Sequence, residues 1–295
     1  MHYLITGGSG FIGSALCRSL LADGHRVTVL TRDIARARQR LPDAVFLIDR
    51  LDFAQDVGVV VNLAGENLAS GRWTAVRKHE FVASRIGMTK RLLNWIDRQD
   101  SAPAVLVSGS AIGWYGATGD EELDEDADLG NDFSAHLCRD WEAEAIKAEA
   151  LGVRVCRVRT GIVLGAEGGA LKQMLLPFRL GIGGKMGSGR QWMSWVARED
   201  IVALIRWLVD NSSARGAYNG TAPAPVTNAE FARTLGAALR RPALLPMPAF
   251  ALKVLFGEMA DILLTGQRVV PKRATAEGFK FKHPDLAPAL ASILG

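Results

Sequence analysis

The 295-residue chain holds only three cysteines, Cys17, Cys138 and Cys156, too few and too scattered for a disulfide framework or a zinc site. No apolar run approaches the ~20 residues that span a bilayer. The first residues have the pattern of a buried strand entering a turn, without the zones of a signal peptide. These absences point to a cytoplasmic protein with no membrane partner. Charge of one sign is also scarce. The formal net charge is +4, and basic residues thicken only in the middle, from Arg157 and Arg159 to Arg198. No basic stripe carries interleaved aromatics, so no nucleic-acid partner is expected, whereas an anionic cofactor or small-molecule substrate suits the charge. Tyrosine is scarce too: Tyr3, Tyr115 and Tyr218 are the only three, and none is followed four residues later by lysine.

What is present starts at the amino terminus. Met-His-Tyr-Leu-Ile-Thr runs into Gly7, Gly10 and Gly13 at three-residue intervals, the order of a strand, a tight turn and a helix. Backbone N–H groups unobstructed by side chains can approach phosphate oxygens there, and the positive end of the helix dipole favours an anion. Gly7, Gly8, Ser9, Gly10, Phe11, Ile12 and Gly13 are therefore candidates for holding the pyrophosphate of a dinucleotide. The second strand, Arg26–Leu30, ends in Thr31-Arg32, where an NAD binder usually places an acidic ribose partner. An arginine can hold a 2′-phosphate bidentately where a carboxylate would repel it. Thr31 and Arg32 thus point to NADP(H), while Arg38 and Arg40 read as solvated helix surface.

Runs of buried-strand length at 2–6, 26–30, 44–48, 58–63, 104–108 and 153–158 alternate with helical stretches at Phe11–Ala22, Trp73–Arg98 and Ala135–Ala150. In the first helix, Ile12, Leu16 and Leu20 form a core-facing stripe. The alternation predicts an α/β fold, a Rossmann-like doubly wound parallel sheet with helices on both faces. From residue 165 glycine and proline punctuate the chain. The expected division is a dinucleotide-binding domain at 1–164 and a smaller, mainly helical substrate lobe at 165–295, in one compact unit whose lobes can interleave.

Several longer motifs reinforce this: Thr6-Gly-Gly-Ser-Gly-Phe-Ile-Gly13, Asn62-Leu-Ala-Gly-Glu66, Ser84-Arg85, Ser108-Gly-Ser110, Cys138-Arg-Asp-Trp-Glu142 and Arg159-Thr-Gly-Ile-Val-Leu-Gly165. Leu175-Leu-Pro-Phe-Arg-Leu-Gly181, Gly187-Ser-Gly-Arg-Gln191, Gly266-Gln-Arg268 and Pro271-Lys-Arg273 follow. With these, the whole chain resembles the extended short-chain dehydrogenase/reductase superfamily, and especially its atypical "epimerase family protein" branch related to nucleotide-sugar epimerases. The resemblance implies an NADP-dependent epimerase-like or reductase-like protein that moves a hydride at a hydroxyl or carbonyl carbon. It implies that Leu63, Ala64 and Gly65 lie along the cofactor, that Ser108, Gly161 and Ile162 approach it, and that Glu80 and Arg85 face it from the next helix. The last two read equally as an ordinary exposed helix face. A homodimer built on the stretches Trp73–Arg98 and Ala135–Ala150 would suit the superfamily.

Members of that superfamily usually carry Tyr-x-x-x-Lys, in which the lysine lowers the phenol's pKa for proton exchange at neutral pH. This chain lacks the pair. Ser110 matches the serine that contacts the substrate oxygen, and Tyr115 could supply the proton from the adjoining loop or simply anchor that loop. Arg190, Trp195 and Arg268 are candidates for the substrate side. The acidic run Asp120–Asp128 reads as a solvated loop, since no calcium-loop spacing is met. The missing pair leaves a noncatalytic NADP(H)-binding module as the alternative.

Overall fold

Seven strands, β1 (His2–Thr6), β2 (Arg26–Leu30), β3 (Phe46–Ile48), β4 (Val59–Asn62), β5 (Val105–Ala111), β6 (Arg154–Thr160) and β7 (Gly216–Gly220), form one sheet in the computed structural model, which describes residues 1–69 and 71–295. The sheet is parallel throughout, in the order β3-β2-β1-β4-β5-β6-β7. Chain direction across the sheet reverses between β1 and β4, which makes the crevice at their carboxyl ends the place where such sheets bind ligands.

The helices are α1 (Phe11–Ala22), α2 (Ile34–Arg38), α3 (Ala75–Val82), α4 (Met88–Ile96), α5 (Phe133–Ile146), α6 (Gly169–Arg179), α7 (Arg198–Asp210), α8 (Asn228–Ala238), α9 (Ala249–Phe256), α10 (Ala260–Leu264), α11 (Lys272–Ala276) and α12 (Leu286–Leu294). Successive strand residues point to opposite faces. Ile5, Val29, Val61, Val107 and Val158 meet Leu16 and Leu20 of α1 and Ile201, Leu204 and Leu208 of α7. On the other face, Leu4, Val60, Leu106 and Val155 meet Leu92, Trp95 and Ile96 of α4 and Ala145 of α5. Both faces are covered, which is why the strands read as nearly unbroken apolar runs. A separate core joins Leu171, Leu175 and Phe178 of α6 to Phe231, Leu235, Leu286 and Leu290 of α8 and α12. No helix among the described residues is long and apolar enough to cross a membrane.

One expectation changes. The stretch read as one helix from Trp73 is α3 and α4 joined by a π-turn at Ala83–Gly87. The two expected stretches, 1–164 and 165–295, interleave within the one unit. After α6 the chain returns, lays α7 beside α1 and adds β7 to the edge of the sheet next to β6. The rest of the carboxyl-terminal part is mainly helical, as the sequence indicates.

Leu16 is fully buried in the α1–α7 layer. Leu16→Ala is expected to cost about 2–5 kcal/mol in urea denaturation; a loss below ~1 kcal/mol would mean that α1 packs far more loosely on the sheet.

Candidate functional site

The glycine turn sits at the carboxyl end of β1. Gly7 adopts φ +68°, and a Cβ there would fall 2.5 Å from the Leu63 carbonyl oxygen. A Cβ on Gly13 would lie 2.4 Å from the Gly7 carbonyl, so this glycine lets α1 close on the turn. Gly10 differs: a Cβ there would meet only the Gly7 carbonyl, at 3.0 Å, with open space beyond. Gly10 is also the N-cap of α1 and supplies no side-chain cap, and no acidic residue occupies the first turn. The first-turn N–H groups of Phe11, Ile12 and Gly13 are those a helix leaves without intrahelical partners. The Phe11 ring turns the other way, and added Cβ atoms on Gly165, Gly168 and Gly169 would come within 2.5–2.9 Å of it. It thus pins the turn to the loop before α6.

At the end of β2, the Thr31 hydroxyl is bonded to the backbone of Asp33, whose carboxylate caps α2 through the Arg36 N–H. The Arg32 side chain is 88% exposed, with the Glu66 carboxylate 3.9 Å away. Arg38 donates to the carbonyls of Pro42, Asp43 and Val45. Arg32 is therefore an exposed guanidinium at the strand end.

β4 is tied to β1 through Thr6, whose hydroxyl donates to Asn62 Oδ1 at 2.6 Å and accepts from the Ala64 N–H at 3.2 Å. The residues beyond, Leu63 to Glu66, are held from the π-turn. Ser84 Oγ accepts the Glu66 N–H, and Arg85 donates to the Glu66 and Phe81 carbonyls. The Arg85 guanidinium lies beneath Gly65 and over the Trp141 ring, 5.4 Å from its centroid, and burial pulls its pKa down. Arg85 thus spends donors on main-chain carbonyls and positions the loop. Glu80, on α3, pairs with Arg77 at 2.8 Å.

The two hydroxyls expected at the substrate are tied into a buried network. Ser110 donates to Glu142 Oε1 at 2.7 Å. Glu142 is 1% exposed and also receives Arg159 at 2.8 and 3.2 Å and Arg157 at 3.0 Å. Tyr115 is likewise 1% exposed; its phenol donates to Asn219 Oδ1 at 2.7 Å and accepts from Arg159 at 3.0 Å. Burial pushes that phenol up to about 12. Of the two roles left open for Tyr115, this geometry is that of the anchor. Burial also pulls Arg159 down, but Glu142 and Tyr115 more than offset it. Ser108 is buried, its hydroxyl 3.3 Å from the Gly109 carbonyl. Glu142 and Arg159 stand in motifs the sequence displays, yet neither was given a role. The available signal was a carboxylate on the buried stripe Ala135–Cys138–Glu142–Ala145 of α5.

Other expected residues sit apart from this cluster. Trp195 is fully buried in the lobe core with its indole N–H on the Ala224 carbonyl, so it lines no open surface. Arg190 is exposed. Arg268 lies over the Trp192 ring at 4.9 Å and pairs with Glu122 at 3.2 Å. A Cβ on Gly161 would strike the Ser194 carbonyl at 2.3 Å, and Ile162 pairs with Trp195 in a short parallel ladder. The acidic run is not wholly solvated either: Glu125 is buried and accepts the N–H groups of Asn219 and Arg273.

A phenol held at about 12 rather than 10.0 ionises first in the unfolded chain. Stability should therefore fall as pH rises from 10 towards 12. Tyr115→Phe is expected to flatten that slope in denaturation curves, while losing about 1–2 kcal/mol near neutrality; an unchanged slope would show that the phenol is not held neutral by burial.

Comparison with known proteins agrees with this architecture. The family described as "NAD dependent epimerase/dehydratase family" matches residues 3–219, and a domain of unknown function, DUF1731, matches 247–293. The chain is 41% identical over 303 residues to an Arabidopsis thaliana protein named "Epimerase family protein SDR39U1 homolog, chloroplastic", covering 100% of this chain and 87% of that protein. It is 38% identical to the Bacillus subtilis epimerase family protein YfhF, covering 100% and 98%. The crystal structure of human epimerase family protein SDR39U1 (isoform 2) with NADPH superposes with a TM-score of 0.91 at 36% identity, covering 99% of both chains. A UDP-galactose 4-epimerase shares the fold, with a TM-score of 0.77 at 19% identity over 99% of this chain and 97% of the other. The chain belongs to the NAD dependent epimerase/dehydratase family.

Proposed function

We propose that this chain binds NADP(H) at the glycine turn and serves hydride transfer at a hydroxyl- or carbonyl-bearing carbon of a small anionic substrate. The observation that carries the cofactor choice is Arg32, whose 88% exposed guanidinium stands at the end of β2 beside the crevice. The glycine turn fits the pyrophosphate, because the space open above Gly10 is the space a side chain would fill. The N–H groups of Phe11, Ile12 and Gly13 would hold it, Arg32 and Thr31 would read the 2′-phosphate, and Leu63, Ala64 and Gly65 would offer backbone to the adenosine half. Ser108, Gly161 and Ile162 would lie towards the other half. NADPH in the human relative's crystal structure supports the same cofactor here. When bound, the nicotinamide supplies or accepts the hydride.

On the substrate side, the exposed Arg190 would meet an anionic group, and Arg268 would join it only by leaving Glu122. Ser110 would face the reacting oxygen. Its proton is directed at Glu142, so the hydroxyl offers its lone pairs to a substrate O–H rather than a donor to a carbonyl. The same hydrogen bond, with the burial of Tyr115, favours a second reading in which the protein binds NADP(H) and performs no chemistry.

Calorimetry tests the cofactor. Arg32→Ala is expected to weaken NADPH about tenfold or more while NADH changes little; an unchanged NADPH preference would place the 2′-phosphate elsewhere. Gly10→Val is expected to abolish dinucleotide binding in a folded protein, and wild-type affinity in that variant would remove the cradle. Enzyme and binding module separate when NADPH is incubated with nucleotide sugars and small carbonyl compounds, following absorbance and stereochemistry together. With a turned-over compound, Ser110→Ala is expected to lower the rate about three- to tenfold, the loss of one hydrogen-bond acceptor at the reacting oxygen. Intact NADPH binding with no compound turned over would leave the binding module.

A further inference from the structure

The loop after β4 carries a carboxylate, Glu66, whose position is set by its own main chain. The Glu66 N–H is held by Ser84 Oγ at 2.9 Å and its carbonyl by Arg85 at 3.0 Å. Both grips come from the π-turn Ala83–Gly87, and neither touches the carboxylate. So held, the side chain projects between two guanidinium groups. One oxygen lies 3.5 Å from Arg77, the other 3.9 Å from Arg32. Arg77 is shared with Glu80 at 2.8 Å.

We infer that Glu66 is a selectivity residue for the dinucleotide, competing with the 2′-phosphate for Arg32 and so limiting how strongly NADP(H) is preferred to NAD(H). The inference rests on the NADP(H) reading. A loose pair at 3.9 Å, with one partner 88% exposed, holds Arg32 only weakly. A phosphate offers the guanidinium two parallel charge-assisted hydrogen bonds and takes it over. Glu66 is then left to Arg77, with its charge beside a like-charged group. NAD(H) brings no phosphate to this place and leaves the Arg32–Glu66 pair as it is. The carboxylate therefore opposes one dinucleotide and not the other.

Glu66→Gln tests this without loosening the loop, since both grips end on main-chain atoms. Dissociation constants for NADPH and NADH are measured by calorimetry at low and at raised salt. The preference for NADPH is expected to rise about three- to fivefold at low salt, with the gain shrinking as salt screens it. On an Arg32→Ala background the same substitution is expected to shift the preference by less than about twofold, because the two side chains act as one coupled pair. A wild-type protein that binds neither dinucleotide overturns the cofactor reading, and this inference falls with it. A wild-type protein that prefers NADPH, with that preference unmoved or lowered by Glu66→Gln, or raised as much without Arg32 as with it, overturns this inference alone.

Discussion

Glu142 is 1% exposed in the layer between α5 and the sheet, and a bare carboxylate at that depth would cost several kcal/mol. Everything around it answers that cost. Arg157 and Arg159 bring two positive charges from β6, and Ser110 brings a hydroxyl from β5. Arg159 then spends its remaining donor capacity on Tyr115 and the Glu125 carbonyl. Through Asn219, which bonds both Tyr115 and the Val270 carbonyl, the network reaches β7 and the segment before α11. One buried charge thus fixes the ends of three strands and the loop after β5, on the side of the sheet where ligands bind in this architecture.

The same network lies at the end of β5 in a chain that has no Tyr-x-x-x-Lys pair. Ser110, Glu142, Arg159 and Tyr115 at the end of β5 are hydrogen-bonded to one another. Fully paired buried polar groups rigidify a site, whereas partly paired ones are costly. The dinucleotide side is built on the opposite principle: a helix without a side-chain cap, a glycine with space above it and a guanidinium held only by a loose pair at 3.9 Å.

Legibility in the sequence follows the range of the interactions. β1 and β2 fall where their apolar runs lie, and the glycine turn is local, so the close approaches at Gly7 and Gly13 could be expected from spacing alone. Arg32 was readable for the same reason, since exposure at a strand end needs no distant partner. β7 escaped because Gly216-Ala-Tyr-Asn-Gly220 has no β-branched residue; it is a strand because β6 pairs with it. The partner of Ser110 lies 32 residues away and that of Tyr115 104 away, separations that no periodicity reports. Trp195 looked like a wall of the cleft until α8 and α12, from later in the chain, closed over it. The π-turn that sends Arg85 under Gly65 leaves no mark in helix propensity.

The late arrival of α7 and β7 has a consequence for how the molecule comes off the ribosome. When the first 164 residues have emerged, six strands exist, yet half of one sheet face still lacks its cover and β6 is an open edge. An unpaired edge beside bare apolar surface invites pairing with other chains. The sheet is sealed only after α6 has been made and the chain has returned through α7 to Gly220. Residues 165 to 220 thus supply both the last edge strand and the cover of half of one face, which ties completion of the nucleotide-binding layer to completion of much of the carboxyl-terminal part.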